Sequence, residues 1–515
     1  MVMANKYVII RMILIFTSLG MFSQVKAQSI YGDFPYYQSF RTTIQPTEIE
    51  KVTPQGGKTN AATFTVNGLR LTPATQQQFG AVFIKDKQFQ SIQGIRIEFE
   101  YAIYDGDGAD GMSVFFFDAN VTTPTIGAPG CGIGYTYNRT NNQSQNIGYR
   151  ASGLSGAYLG IALDSYGNFK SRRWQGDARV NGIPNISESL GNRYTSNVTL
   201  RGAKGGSAQL SDFPYDGMGD GYNGYPVLIS QPTLSNNQGW ILDNTGGTYS
   251  SINTYQGNFN LRGGSLSAYR KAIVEIFPFT GGDGFWVTVK IQHEQATTTV
   301  IKDYPYKQTV IYAENAYTST GDNNQTNPSS SSKATILDAT IPEYLRIGFA
   351  ASTGGVTDIH LLRELRITLP GSAEAYDDYT STPKGIPVAI DALANDIGYT
   401  GIISQNMVGS ASYLAPSTFR FCNEFGVNIG VADAGGTSYS TTEGTWRFDF
   451  VTGNLTFTPV GSFIGEASVK YNIKANGIPY NDDAYRSLPA TVTVEVVPPK
   501  AIISNRMITP VITPR

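Results

Sequence analysis

Cysteine and histidine are almost missing from this chain of 515 residues, which holds two of each. Cys131 and Cys422 stand far apart, so a disulfide framework is excluded and even one long-range bridge is disfavoured. His293 and His360 are the only histidines, leaving almost no material for a zinc site or a Cys/His nucleophile pair. Charge is also scarce: 15% of residues are charged and the formal net charge is −2. No basic patch stands out, so nucleic acid is not the expected partner. Beyond the N-terminus no segment is apolar enough to cross a bilayer.

What the chain has instead is glycine (56), tyrosine (31) and phenylalanine (26), with few helix-favouring charged runs. That mixture predicts an all-β protein rich in turns, and the length predicts two or three globular units with a core large enough to need no staples. At the N-terminus Lys6 and Arg11 precede an apolar run from Met12 to Phe22, then Val25-Lys26-Ala27 before Gln28. This is the pattern of a secretory signal peptide over residues 1–27, which predicts a secreted or cell-surface protein with no membrane span after cleavage.

From residue 30 to 370 short alternating segments are separated by Gly/Asn/Asp/Ser turns. In "SIQGIRIEFEYAIYD" Ile95, Ile97 and Phe99 fall on one face and Arg96, Glu98 and Glu100 on the other. "AIVEIFPF" and "FWVTVKIQ" read as strands joined by "TGGDG", and "YLRIGFAAST" with "IHLLRELRITLP" as a final pair. Two packed antiparallel sheets are expected. Residues 202–264 and 318–333 read as turn-rich surface loops. Residues 375–498 predict a smaller β-sandwich, and 499–515 an extended tail of no assigned role.

Four segments carry candidate chemistry: "GADGMSVFFF", "GCGIGY", "LDSYGNF" and "LRIGFAASTGG". Read alone, Asp110 is a turn aspartate capping the next strand, and Asp164 with Asn168 an Asx-turn. Phe115, Phe116 and Phe117 read as core on both faces of a sheet. Asp105 and Asp107 lack the spacing of an EF-hand loop and its closing glutamate. Glu98 and Glu100 resemble a glycosidase pair only superficially and read as a solvated face.

In this order the four segments resemble the L-type lectin domain, the legume-lectin-like, concanavalin A-like jelly-roll β-sandwich. The resemblance implies a glycan partner, with the Asp110 carboxylate accepting sugar hydroxyls as charge-assisted bonds. It implies a cis peptide between Ala109 and Asp110, and a backbone N–H from Gly130 or Gly132. It further implies Ca2+ held by Asp164, the carbonyl of Tyr166, Asn168 and Asp177, with Asn168 also touching the sugar. Ala162 stands where plant members have a glutamate, and "SNVTLRG" lacks their histidine, so the transition-metal site is not expected. The string Glu-x-Asp-x-x-Glu of jelly-roll glycoside hydrolases does not occur. "AYDDYTSTPKGIPVAIDALAND" resembles bacterial cadherin-like modules, in which Asp377, Asp378, Asp391, Asn395 and Asp396 are either interdomain calcium ligands or turn residues. The reading is therefore a calcium-assisted carbohydrate-binding protein and not an enzyme. A hydrolase on the same scaffold and a structural surface protein without sugar binding are the alternatives.

Overall fold

The computed structural model describes residues 30–138, 151–170, 195–206, 220–315, 332–401, 403–477 and 482–499. The expected signal peptide, Asp177 and nearly all of the tail lie outside the described residues. Strands and short 3-10 turns make up the regular structure of those described, so the chain is all-β. No helix among them is long and apolar enough to cross a membrane.

Two large antiparallel sheets form the first sandwich. The eight-stranded sheet runs in space Ala296–Lys307, Gly284–His293, Arg270–Pro278, Ile95–Tyr104, Ile359–Thr368, Gly68–Thr72, Thr63–Thr65, with Tyr36–Gln38 also on Ile359–Thr368. Its strands keep the two-residue alternation: Ile95, Ile97 and Phe99 are buried, while Arg96, Glu98 and Glu100 sit half-buried on the outer face. The turn "TGGDG" closes its hairpin, with Ala272 opposite Ile291.

The ten-stranded sheet runs Thr248–Ile252, Gly239–Asp243, Val227–Pro232, Asn197–Arg201, Ala157–Asp164, Gly111–Asp118, Tyr344–Ser352, Phe79–Ile84, Ile49–Lys51, with Phe89–Gln90 on Tyr344–Ser352. Its central strands read as continuous apolar runs because both faces are covered. Val114 and Phe116 enter the core between the sheets. Phe115 and Phe117 point the other way, into a second cluster with Phe169, Tyr135, Tyr137 and Tyr225. The loops carrying those residues therefore lie over the outer face, held down by aromatic side chains. Burying one such ring is worth about 2–3 kcal/mol.

The fold differs from the sequence reading at two places. The tract 202–264 is not all loop, for it supplies three strands that extend the ten-stranded sheet. Tyr344–Ser352 and Ile359–Thr368 do not pair with each other: they lie in different sheets, each flanked by strands of its own sheet. The linking residues "TGGVTD" cross between sheets instead of closing a hairpin.

In the second sandwich a four-stranded sheet (Asp378–Pro383, Ala490–Val497, Gly465–Asn472, Arg420–Cys422) faces a five-stranded one (Val388–Ile390, Leu455–Pro459, Gly444–Asp449, Gly436–Ser440, Val431–Asp433). Its first strand runs parallel to Ala490–Val497. Trp446, Phe448, Phe457 and Tyr471 fill the core between them. The two sandwiches touch: Tyr485 joins the core cluster of the first and meets the Tyr31 ring edge-on at 5.5 Å.

Candidate functional site

Strand register decides which loops meet. Met112 lies opposite Leu163, so the strands after "DGDGAD" and before "SYGNF" are neighbours, and both loops emerge at one end of the ten-stranded sheet. On the other side Gly111 pairs with Ser352, bringing in the loop that begins "TGG". Residues 58 apart in the chain thereby come into contact: Asn168 Nδ2 donates to Asp110 Oδ1 at 3.2 Å.

Asp110 and Asn168 are 4% and 8% exposed. Burial pushes the Asp110 carboxyl up to about 6, against the lowering effect of the Asn168 amide and of the nearby Ser352 hydroxyl, which donates to the Gln78 carbonyl at 3.4 Å. Its Oδ2 and the Asn168 Oδ1 are both buried acceptors without a hydrogen-bond partner among the described residues. Such orphans cost on the order of 1–3 kcal/mol each unless a donor or cation reaches them. Gly354 lies against the same carboxylate, where a Cβ would make ordinary contact with Asp110 Oδ1 at 3.6 Å.

The backbone around Asp110 is clamped on three sides. Ala109 N–H donates to Asp358 Oδ2 at 3.1 Å, Ser165 Oγ donates to the Ala109 carbonyl at 2.5 Å, and Tyr166 N–H donates to the Asp110 carbonyl at 3.3 Å. The Ala109–Asp110 peptide is trans, contrary to expectation; among the described residues the one cis bond is Phe34–Pro35. The clamp is built of protein groups that meet the trans backbone on both sides of the peptide.

Gly130 and Gly132 form a 3-10 turn over the same end of the sheet. Gly130, at φ +63°, donates its N–H to Ser352 Oγ at 2.7 Å, and Gly132 donates to the Pro129 carbonyl at 3.3 Å. Both N–H groups are thus already engaged within the protein, and neither points unpaired toward Asp110. A sugar would have to displace one of these bonds to use them.

Asp164, wholly buried, accepts N–H bonds from Gly167 at 2.8 Å and Phe169 at 3.1 Å, folding "DSYGNF" back on itself. Burial raises its pKa, and the charge of the wholly buried Lys170 opposes that rise. Lys170 in turn is pushed down to about 8 by burial, against the attraction of Asp164. Arg201 completes the support: its Nε and Nη2 reach the Phe169 carbonyl at 3.0 and 2.5 Å, its Nη1 reaches the Tyr225 carbonyl at 2.6 Å, and it stacks on the Phe169 ring.

Among the described residues no three His, Cys, Asp or Glu side chains gather around one metal position. Asn168 Oδ1 is a buried, unpartnered oxygen of a type calcium takes, while both Asp164 oxygens accept N–H bonds and the Ser165 carbonyl accepts from Ser196 N–H at 3.0 Å. Sequence reading missed Ser165, Lys170, Arg201, Ser352, Gly354, Asp358 and Arg262. Ser165 lies within "LDSYGNF", Ser352 and Gly354 within "LRIGFAASTGG", and Lys170 directly after the former, so position in or beside a quoted segment was the available signal.

Other acidic candidates are engaged elsewhere. Glu98 and Glu100 form ion pairs with Arg96 and Arg363 rather than facing a cleft. Asp377 Oδ1 accepts from Thr491 N–H at 2.7 Å, and Asp396 Oδ1 from Tyr376 N–H at 2.8 Å, which are backbone-capping roles. Asn395 Nδ2 donates to the Asp377 carbonyl at 3.2 Å.

No family model and no curated protein matches the sequence. Among solved structures the chain is similar to the VIP36 exoplasmic/lumenal domain in a Ca2+/mannose-bound form, at 11% identity over 66% of this chain and 90% of that one, with a TM-score of 0.33. Peanut lectin bound to a nine-residue peptide gives 13% identity, 65% and 97% coverage and a TM-score of 0.30. The lectin from Bauhinia forficata in complex with GalNAc gives 10%, 65%, 99% and 0.30. Scores this low transfer no ligand and no residue role.

Proposed function

We propose that this chain is an exported carbohydrate-binding protein and that Asp110 and Asn168 are the side chains that meet the sugar. The carrying observation is the pair of buried, unpartnered acceptors, Asp110 Oδ2 and Asn168 Oδ1, held side by side by the 3.2 Å bond between their side chains. Sugar hydroxyls are donors of the kind Asp110 Oδ2 lacks, and charge-assisted bonds to a carboxylate are the stronger class. Gly130 or Gly132 would add a backbone N–H once its present bond is exchanged for one to the ligand.

Calcium would be held by Asp164, the Tyr166 carbonyl and Asn168 Oδ1, with Asp177 as a further ligand. It would supply a fixed positive centre that orients the Asn168 amide. The chain's own residues do the recognition: Asp110 accepts and Asn168 Nδ2 donates. Binding rather than hydrolysis is supported by the state of the neighbouring acids. Asp164 is capped by two N–H groups and Asp358 is paired with Arg262, so no second carboxyl stands free across from Asp110 among the described residues. Single-site affinity of this kind is weak, and function in adhesion would rest on multivalent display. Residues 375–498 are proposed as a cadherin-like module that carries the sugar-binding sandwich.

The test is a glycan array run with and without chelator on the wild type, Asp110→Ala and Asp164→Ala. Chelator-sensitive binding that both substitutions abolish supports the reading. Release of product from a bound polysaccharide would make the protein a hydrolase, and absence of binding under every condition would leave a structural role.

A further inference from the structure

The loop that presents Asp110 has an internal ion pair at its base. Arg262 Nε lies 2.9 Å from each carboxylate oxygen of Asp358, and its Nη2 donates to the Gly106 carbonyl. Asp358 is wholly buried, whereas Arg262 keeps part of its surface in solvent. One oxygen of the same carboxylate, Oδ2, takes the Ala109 N–H at 3.1 Å. The guanidinium therefore touches the loop twice, at Gly106 directly and at Ala109 through Asp358.

The rest of the loop is stitched to the same crossing segment. Asp107 and Gly108 donate their N–H groups to the Thr357 carbonyl at 2.8 and 3.3 Å, and Thr357 N–H returns to Asp107 Oδ1 at 2.5 Å. Gly106 permits this close approach, because a Cβ there would stand 1.9 Å from the Thr357 carbonyl oxygen. Asp358 is further fixed by its own carbonyl, which accepts from Thr72 Oγ1 at 3.1 Å. Every brace of residues 105–109 named here comes from the chain itself, and a planar, forked cation suits a carboxylate and a carbonyl at once.

We propose that Arg262 is a positioning residue for the Asp110 site, holding Asp358 against the Ala109 amide so that the loop keeps its shape without a bound cation. The proposal rests on the reading of Asp110 as the sugar-facing carboxylate. It divides the labour at the site: the Arg262–Asp358 pair sets the Asp110 loop, and any calcium acts only on the loop of Asp164 and Asn168. A buried carboxylate stripped of its partner cation is the costly state, so loss of Arg262 releases Asp358 from the amide rather than leaving it in place.

The experiment is hydrogen–deuterium exchange on the full chain, following the peptide that spans residues 105–112, for the wild type with and without EDTA and for Arg262→Ala and Arg262→Lys. Glycan affinity is measured in parallel on whichever glycan the wild type retains. Expected in Arg262→Ala is about tenfold faster exchange in that peptide, with the strands Gly111–Asp118 and Tyr344–Ser352 otherwise unchanged, and at least about tenfold weaker glycan binding. Arg262→Lys, which keeps the charge but not the fork, should restore part of both. EDTA should leave the wild-type peptide as it was. Unchanged exchange in Arg262→Ala overturns the proposal, and so does an EDTA effect as large as the substitution's. If Arg262→Ala does not fold, Arg262→Lys is scored by the same criterion. A wild type that binds no glycan sinks the sugar reading, while the exchange result still decides whether Arg262 holds the loop.

Discussion

Asn168 Nδ2 reaches Asp110 Oδ1 at 3.2 Å across 58 residues of chain, leaving Asp110 Oδ2 and Asn168 Oδ1 buried and unpaired. Two side chains that satisfy each other only halfway are a poor choice for stability and a good one for binding, because the deficit is repaid when donors arrive.

Asp110→Asn separates those two effects. The carboxyl is raised to about 6 chiefly by burial, so it is mostly charged at neutral pH but at a cost to the folded state. Removing the charge while keeping the shape should leave stability unchanged or raise it, by on the order of 1–3 kcal/mol. Glycan affinity should fall at least about tenfold, since charge-assisted bonds become neutral ones. Thermal melts beside glycan binding check both, and a variant that loses stability and keeps affinity would contradict the assignment.

Lys170→Met tests the electrostatics beneath the site. Lys170 and Asp164 are both wholly buried, each shifted by desolvation and each drawn back by the other's charge. Taking away the cation leaves Asp164 less compensated, and the calcium-free protein should lose about 3 kcal/mol. Added calcium should then raise the melting temperature more in the variant than in the wild type. Equal melting of the two proteins in chelator would show that Lys170 does not serve Asp164.

The sequence made Asp110, Asp164 and Asn168 visible because they sit in short motifs at the ends of strongly apolar strands. Burial of Phe115, Phe116 and Phe117 on alternate faces was legible for the same reason. Arg262 was not, since "LRGG" inside a turn-rich tract carries no periodicity and its partner, Asp358, lies 96 residues away. The outer strands Gly239–Asp243 and Thr248–Ile252 escaped notice because the second is largely exposed and shows no clean alternation. "STGGVTD" joins two segments that read as a final pair, and only the pairing of each within its own sheet shows that the chain changes layers there.

Arg96→Ala probes the joint between the sandwiches. Arg96 Nη2 lies 3.4 Å from Glu374, beyond the last strand of the first sandwich, and also contacts Glu98; its Nε lies 3.4 Å from Glu275. Tyr376 and Tyr399 donate to the two Glu374 oxygens at 2.6 and 2.7 Å. Burial opposes the charge on Glu374, yet Arg96 and the two hydroxyls hold its carboxyl below the ordinary range. Without the guanidinium Lys290 and Lys271 still answer Glu275 and Glu98, but Glu374 keeps only its two tyrosine hydroxyls, and a loss of about 1–3 kcal/mol is expected. Calorimetry of the full chain should show the transitions of the two sandwiches moving apart, and a single transition at the wild-type temperature would refute a structural role for the pair.

Asp396 should give the second sandwich an inverted pH response. Burial raises its pKa to about 7, against the lowering bonds from Tyr376 N–H and the Tyr471 hydroxyl. The Tyr471 oxygen lies 2.9 Å from Asp396 Oδ2 and 2.7 Å from the Ala392 carbonyl, but a phenol has one hydrogen to give. With Asp396 protonated the relay closes: its O–H donates to Tyr471, and Tyr471 donates to Ala392. A folded-state pKa above the unfolded value of about 4 means the folded form binds the extra proton between the two values. The contribution is therefore fully present below about pH 4 and is lost as pH rises through 7. Neighbouring Asp378, raised to about 6 by burial, adds in the same direction. The transition of the second sandwich should lie higher at pH 5 than at pH 8, by an amount equivalent to a few kcal/mol at most, on the order set by the shift. Asp396→Asn should flatten the profile. The first sandwich carries opposed contributions: buried His360, pushed down to about 3, loses stability as pH falls below about 6.5, while Asp110, raised to about 6 by burial, gains it over the same range. A slope for the second sandwich that Asp396→Asn flattens identifies the group, and one that the substitution leaves intact would exclude Asp396 as its source.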